Sequence, residues 1–359
     1  MRGACVFVGL SGGVDSAVAA ALLAEQGADV TCIYMRNWSR DLPGFACPWA
    51  EELAHAERAA FALGLPLEVW DCEREYKETV VDYLVDAYAA GLTPNPDVMC
   101  NQTVKFGTFA EQALEKGADF VATGHYARVE HGQDGAPAQL FRAADEHKDQ
   151  TYFLWRVDGA SLNRALFPLA DIPSKAEVRA FAAERGLENA SKPDSDGICF
   201  IGPVGLRTFL LDSLERRAGD IVEWETGRVL GRHDGAFLFT VGQRKGLDIG
   251  GGPARYVVAT DTQANRVYVT SDPACPGLWC RGHVLSDCRW VAGEPPASGE
   301  YLVRTRHTGE LRAARVEAAA GGARVVFASE QRTVAPGQSC VVYDGRRCLG
   351  GGIISANGD

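Results

Sequence analysis

The stretch VFVGLSGGVDSAVAAALLAEQGA, residues 6–28, decides the fold. An apolar run ends at Leu10, a Ser-Gly-Gly turn follows, and an Ala/Leu-rich helical pattern then continues to Gly27, which can end a helix. Strand, glycine-rich turn and helix together bind phosphate, because the turn amides and the helix N-terminus point at the anion. The Walker motif closes on Gly-Lys-Ser/Thr, whereas no lysine follows the glycines here. The sequence therefore raises the question of which phosphate chemistry such a loop performs.

The N-terminal third alternates short apolar runs with helical patterns. The apolar runs are 4–10, 29–35, 67–70 and 119–123, and the helical patterns are 14–26, 49–63, 75–90 and 106–116. This alternation predicts a parallel sheet covered on both faces, with ligands bound beyond the carboxyl ends of the strands. A polar loop is predicted for 131–147, and further helical structure from there to about 190.

After residue 205 the sequence changes to short β-rich runs separated by Gly, Asp and Pro turns. That texture predicts one or two small β domains or barrels. The fold class is therefore α/β, with a parallel-sheet domain followed by a small β-rich domain and a C-terminal β-barrel. The predicted domains are 1–205, 206–273 and 274–359.

Bulk composition restricts location and partners. The chain has 359 residues, a net charge of −11 and 11 cysteines. It contains no apolar run of 18 residues and enters a strand directly, so we expect no membrane span, no signal peptide and a cytoplasmic location. Cysteines there stay mostly reduced, as packed or catalytic thiols. An acidic protein is a poor general ligand for nucleic acid, but residues 201–359 are close to neutral, with 19 Lys+Arg against 17 Asp+Glu, which leaves room for a polyanion site.

The glycine turn has residues suited to pyrophosphate. Ser11, Gly12, Gly13 and Ser16 can surround a phosphate group, and Asp15 can help to hold Mg²⁺ as its counter-charge. The alternative is an ordinary glycine turn after a first strand. The full SGGVDS motif resembles the PP-loop of ATP pyrophosphatases, which cleave ATP between the α- and β-phosphates. This resemblance implies an ATP site that comprises Gly9, Leu10, Ser11, Gly12, Gly13, Val14, Asp15, Ser16, Met35 and Gly124.

Further stretches narrow the family. They are NPDVMCNQTVKFG (95–107), HKDQTYFL (147–154), SDGICFIG (195–202), VGQRKGLDIGG (241–251) and PGQSCVVYDGRRCLGGGII (336–354). Together they resemble the bacterial tRNA-specific 2-thiouridylase family over nearly the whole chain. The resemblance implies that ATP and Mg²⁺ are used to replace the C2 oxygen of the wobble uridine with sulfur in tRNAs for Lys, Glu and Gln. It also implies an upstream sulfur donor, either a cysteine desulfurase or a relay protein.

Two cysteines match the family's sulfur chemistry. Sulfur transfer needs one cysteine to carry a persulfide and another to resolve it by disulfide exchange. Cys199 resembles the persulfide carrier and Cys100 its partner nucleophile. Asp97, three residues before Cys100, is either a general acid/base or a turn aspartate after Pro96. The other nine cysteines are expected to be packed thiols, and the loose spacing of Cys275, Cys280 and Cys288 does not favour zinc.

The resemblance also implies residues that contact the RNA. Asn95, Pro96 and Asp97 resemble the segment at the target base, whereas Lys148, Asp149, Gln150, Arg304 and Thr305 resemble tRNA contacts. Thr305 replaces an aromatic residue usual in the family, so stacking on a base is lost while Arg304 is kept. Asp196 replaces a small hydroxyl residue; near Cys199, its negative charge would disfavour the thiolate and so affect sulfur loading. His125 is expected to order the pocket rather than to act as a base.

Two other functions remain open from the residues alone. A PP-loop synthetase that acts on a small molecule would explain the loop but neither the cysteine motifs nor the β-rich half. A non-catalytic tRNA-binding protein with a relic nucleotide loop would not explain why SGGVDS and both cysteines are intact.

Overall fold

The computed structural model describes residues 1–41, 47–193, 205–319 and 321–358. Its N-terminal half contains the strands β1 (Cys5–Gly9), β2 (Asp29–Arg36), β3 (Leu67–Asp71), β4 (Phe120–Ala122) and β7 (Ala165–Leu166). They form one parallel sheet in the order β3-β2-β1-β4-β7. The predicted parallel sheet is confirmed, and its central strand β1 ends at the glycine turn.

Helices cover this sheet. Two of them, including the one that follows the glycine turn, pack against each other through buried apolar side chains. The helices are α1 (Val14–Glu25), α2 (Trp49–Leu63), α3 (Glu73–Tyr76), α4 (Asp82–Ala89), α5 (Pro96–Met99), α6 (Phe109–Glu115), α7 (Thr151–Leu154), α8 (Gly159–Leu162), α9 (Lys175–Glu184) and α10 (Leu206–Ser213). π-helical turns, Lys77–Val81 and Cys100–Thr108, join α3 to α4 and α5 to α6. Short 3₁₀ turns lie at Glu188–Ser191, Ala236–Leu238 and Pro276–Leu278. Val18 of α1 and Val178 of α9 are fully buried in one apolar cluster, so the two helices pack together beside β1.

The middle of the chain forms a second, smaller sheet. Its strands are β8 (Gly219–Glu223), β9 (Val229–His233), β10 (Tyr256–Asp261) and β11 (Arg266–Thr270), in the order β10-β11-β8-β9. The buried side chains Ile221, Val257, Val267 and Val269 give it a core of its own.

The C-terminal strands close into a barrel. They are β12 (Trp279–Trp290), β13 (Gly299–Arg304), β14 (Arg312–Ala319), β15 (Gly322–Arg332), β16 (Ser339–Asp344) and β17 (Arg347–Gly358). β12 pairs with both β15 and β17, which closes a ring of six strands around Val303, Val316, Val325 and Val342. Closure removes the exposed sheet edges. The predicted fold class is confirmed in all three of its parts.

The predicted polar loop at 131–147 is only partly a loop. β5 (Ala127–Glu130) and β6 (Gln139–Arg142) form a hairpin, and β6 pairs with β17 of the barrel. Leu140 is fully buried in the same apolar cluster as Val341 and Tyr343 of the barrel. The hairpin therefore joins the first domain to the barrel through a shared core. Among the described residues, no helix is long and apolar enough to cross a membrane.

Candidate active site

The glycine turn forms a phosphate loop, residues 9–16, at the carboxyl end of β1. Gly12 has a φ of +76°, and a Cβ there would come within 2.6 Å of the Glu52 carbonyl oxygen, so only glycine fits. The Ser16 hydroxyl donates to the Gly13 carbonyl at 3.1 Å and accepts from the Ser11 amide at 3.2 Å. Gly13 precedes α1 without a side chain to cap the first-turn amides. Those amides and the N-terminal dipole of α1 make the turn suitable for an anion.

Other predicted nucleotide residues lie around this loop. Leu10 and Val14 are buried and hold the loop on the core, whereas Ser11 is exposed. The Met35 methyl lies 3.0 Å from where a Gly9 Cβ would stand. Gly124 packs closely on the first turn of α1, because a Cβ there would be 2.6 Å from the Ser16 nitrogen. The structure thus brings Met35 and Gly124 to the phosphate loop, although the close packing of Gly124 is against protein backbone.

Asp15 contacts two polar side chains that are far from it in the sequence, those of Tyr126 and Lys175. Its carboxylate accepts from the Tyr126 hydroxyl at 2.7 Å and from the Lys175 ammonium at 2.7 and 2.6 Å. Lys175 is the first residue of α9 and also lies 5.8 Å from the centre of the Tyr126 ring. The phosphate loop therefore has a lysine after all, supplied by another helix. Sequence reasoning missed it, because nothing local connects positions 15 and 175.

The segment before Cys100 is positioned by all three domains. The Thr93 amide donates to the Pro336 carbonyl at 2.8 Å, and the Gln338 side chain donates to the Thr93 carbonyl at 2.7 Å. The hydroxyls of Thr93 and Thr240 lie 3.3 Å apart. Gly337 has a φ of +95°, and a Cβ there would clash with the Thr93 nitrogen at 2.7 Å. The barrel thus holds the loop that carries the predicted base-binding residues.

Asn95, Pro96 and Asp97 continue from this loop into α5, with Pro96 in the first turn. The Asn95 side chain hydrogen-bonds to the Tyr152 hydroxyl. Burial raises the pKa of the Asp97 carboxyl above its ordinary value, and Lys105 offsets part of that shift. A half-buried carboxyl whose pKa is raised holds its proton more readily than an exposed one, which is compatible with a general acid/base role.

Cys100 begins the π-helical turn, where it is 5% exposed. The adjacent Asn101 anchors this turn, because its side-chain amide donates to the Phe153 carbonyl at 3.1 Å. Cys199 and Asp196 lie outside the described residues, so their predicted relation to Cys100 is not tested. His125, which is expected to order the pocket rather than to act as a base, contacts Thr123. It is buried, its ring nitrogen lies 2.7 Å from the Thr123 hydroxyl, and burial holds its pKa well below 6.5.

The predicted tRNA contacts Asp149 and Arg304 are buried against each other. Asp149 is 1% and Arg304 6% exposed, and the guanidinium donates to the carboxylate at 3.0 Å. Thr151 donates to both Asp149 oxygens at 3.0 Å, and the Arg142 guanidinium lies 3.4 Å away. These charges neutralise each other inside the protein, and the expected contact of Asp149 and Arg304 with tRNA stays a prediction. They join the first domain to the barrel.

The residues next to Asp149 and Arg304 in the sequence are more exposed to solvent. Lys148 and Gln150 are half-buried, and Gln150 accepts from the Tyr126 amide at 3.0 Å. Thr305 is half-buried, with its carbonyl bonded to the Tyr152 hydroxyl at 3.2 Å. Arg306, the next arginine along the chain, is exposed. Lys148 and Arg306 are thus better placed than Asp149 or Arg304 to meet a polyanion.

Comparison with known proteins agrees with this architecture. A family model described as the tRNA methyl transferase HUP domain matches residues 4–203. The associated PRC-barrel and aminomethyltransferase beta-barrel models match 207–271 and 281–354. Each of the three matches falls within one of the predicted domains. The fold and the phosphate loop thus define a nucleotide-binding PP-loop protein with two appended β domains.

Full-length relatives narrow the class. The tRNA-specific 2-thiouridylase MnmA of Cupriavidus metallidurans is 45% identical over 99% of this chain and 100% of its own length. The protein of the same name from Ralstonia pickettii is 45% identical over 98% of this chain and 96% of its own. The chain belongs to the tRNA-specific 2-thiouridylase family. The predicted enzyme class, a tRNA-uridine 2-sulfurtransferase, is confirmed.

Likeness to solved structures is weaker. NMN synthetase from Francisella tularensis covers 54% of this chain and 67% of its own at 14% identity, with a TM-score of 0.34. A 4-thiouridine synthetase, solved with RNA and ATP, covers 55% of this chain and 45% of its own at 19% identity, with a TM-score of 0.32.

Proposed function

We propose that this protein uses ATP to activate the C2 oxygen of the wobble uridine in tRNAs for Lys, Glu and Gln, and replaces that oxygen with sulfur from a Cys199 persulfide. The products are 2-thiouridine, AMP and pyrophosphate. What carries the proposal is full-length membership of the 2-thiouridylase family in a chain whose phosphate loop is intact. Cys100 lies at the end of α5, the short helix that continues the barrel-held loop.

The phosphate loop fits the phosphates of ATP. The glycine at position 12 keeps the turn free of a side chain, the first amides of α1 have no side-chain cap, and Ser11 and Ser16 supply hydroxyls. Asp15 is the carboxylate that would hold Mg²⁺, whose charge offsets that of the leaving pyrophosphate. Met35 and Gly124, beside the loop, are the proposed adenine-side residues.

The target base must leave the anticodon stack, because stacking hides its C2 position. Asn95, Pro96 and Asp97 are proposed to receive it. The uridine O2 attacks the α-phosphate of ATP and the bond to pyrophosphate breaks. This step makes the C2 oxygen, which is a poor leaving group by itself, part of a phosphate ester, so that it can leave as AMP. The raised pKa of Asp97 suits it to proton transfer at the base.

Sulfur then enters at C2. In one route the terminal sulfur of the Cys199 persulfide attacks C2 and AMP leaves with the original oxygen. The Cys100 thiolate then attacks the inner sulfur of Cys199, which breaks the S–S bond, leaves the new sulfur on the base, and forms a Cys100–Cys199 disulfide. In the other route the Cys100 thiolate attacks first, forms the same disulfide and releases hydrosulfide, which then attacks C2 and displaces AMP. An external thiol reductant supplies two electrons to restore both cysteines. An upstream cysteine desulfurase or relay protein reloads Cys199.

The decisive experiment separates the two cysteines. With radiolabelled sulfur from a desulfurase, Cys199→Ser is expected to carry no label, whereas Cys100→Ser carries label at Cys199 but forms little 2-thiouridine. Both variants still release pyrophosphate with tRNA, because activation needs neither thiol. Peptide mass spectrometry locates the label, and Cys5→Ser is the matched control at a half-buried thiol outside the site. Full thiolation by either variant, or label on Cys100 alone, would refute the two-cysteine mechanism.

A further inference from the structure

The phosphate loop lacks the lysine that other phosphate-binding loops place in their own sequence. A lysine nevertheless reaches it from α9, 160 residues further along the chain. The Lys175 ammonium binds both oxygens of Asp15 at 2.7 and 2.6 Å, and its side chain is 14% exposed. A cation is therefore held beside the loop and keeps limited contact with solvent.

Hydrogen bonds and helix packing fix the position of Lys175 at the start of α9. Ser174 caps α9 by accepting from the Glu177 amide at 3.3 Å. The buried Asp145 carboxylate accepts from the Lys175 amide at 3.1 Å and, through its other oxygen, from the Lys148 amide at 3.2 Å. These bonds fix the start of α9, and packing of α9 against α1 fixes its distance from the phosphate loop. A mobile surface lysine would lack such fixation.

The contacts of Asp15 favour a change of partner for Lys175 when a nucleotide binds. In the free chain the Asp15 carboxylate neutralises Lys175 and also accepts from Tyr126. The same carboxylate is the one proposed to hold Mg²⁺. A metal ion at Asp15 would weaken the attraction of the ammonium to that carboxylate, and phosphates bound in the loop would lie beside the Lys175 side chain.

Resting on the proposed function, we infer that Lys175 binds the β- and γ-phosphates of ATP, in the role that a Walker lysine has within its own loop. In the free chain it is held ready by Asp15. The contact forms only with a nucleotide that carries phosphates beyond the α-phosphate. Lys175 therefore contributes little to binding of AMP.

The test compares nucleotides by titration calorimetry in the presence of Mg²⁺, with the non-hydrolysable α,β-methylene-ATP and with AMP. Lys175→Gln is expected to weaken binding of α,β-methylene-ATP about ten- to hundredfold, the range for a charge-assisted hydrogen bond, and that of AMP less than about threefold. Lys175→Arg keeps the charge and is expected to retain most of the affinity. Lys77→Gln, which breaks the exposed pair with Asp82, is the matched control.

The outcomes distinguish failure of this inference from failure of the proposed function. Unchanged α,β-methylene-ATP affinity in a folded Lys175→Gln protein would overturn the inference, as would equal losses for both nucleotides. If Lys175→Gln does not fold, the Asp15→Asn/Lys175→Gln double variant also removes the charge of Asp15. Its affinities for α,β-methylene-ATP and AMP are then compared with those of Asp15→Asn. A wild-type protein that binds no α,β-methylene-ATP would instead refute the proposed use of ATP, and the inference with it.

Discussion

Replacing Arg304 distinguishes a residue that joins two domains from one that binds RNA. Arg304→Ala would leave the Asp149 carboxylate, 1% exposed, with Thr151 and a single guanidinium, that of Arg142 at 3.4 Å. Removal of one partner from a buried ion pair costs about 3–5 kcal/mol. Because Arg142 remains, the lower end, about 3 kcal/mol, is expected. Urea unfolding of the whole chain, followed by tryptophan fluorescence, measures this loss.

Two companion variants make the test specific. Asp149→Asn/Arg304→Met removes both charges and is expected to recover most of the stability, because no unpaired buried charge remains. Arg306→Ala, at an exposed position two residues along, should change stability by less than about 0.5 kcal/mol. In filter binding it should lower the salt dependence of tRNA affinity by about one phosphate contact. An Arg304→Ala protein of unchanged stability that loses that contact would refute the buried-pair argument.

Two further predictions concern Asp15 and His283. Asp15→Ala should abolish pyrophosphate release while tRNA still binds, because the carboxylate proposed for Mg²⁺ is gone; release at the wild-type rate, measured with coupled enzymes, would contradict this. Burial lowers the pKa of His283 from 6.5 to about 4, so the neutral ring stabilises the barrel above pH 6.5 and this stability falls as the pH drops towards 4. Between pH 7 and pH 4, the free energy of unfolding measured in urea should therefore fall by about 3 kcal/mol less in His283→Gln than in the wild type. An equal fall in both proteins would show that another group titrates.

Local patterns in the sequence were sufficient for the parallel sheet. The predicted runs 4–10, 29–35 and 67–70 contain β1, β2 and β3, give or take a terminal residue, because short apolar segments between amphipathic helices have few other ways to be buried. The phosphate loop was equally predictable, since its strand, turn and helix are contiguous. Such elements are determined by residues a few positions apart.

Features that depend on distant partners could not be predicted in this way. The polar stretch around 131–147 contains no signal that β6 pairs with β17, which begins at Arg347. Charged side chains are rarely buried alone, and only the pairing of Asp149 with Arg304 across 155 positions explains their burial. Lys175 was overlooked for the same reason. Its functional neighbour lies 160 positions away.

The contacts of the 93–97 loop explain why the barrel belongs to the active site. Pro94 and Pro96 have no backbone N–H, so this loop has few donors with which to hold its own shape. The barrel supplies what is missing, because Pro336 and Gln338 bind both the amide and the carbonyl of Thr93. Gly337 lets the two backbones approach this closely. The proposed base-binding residues therefore depend on the barrel for their position, and an isolated parallel-sheet domain would lack that support.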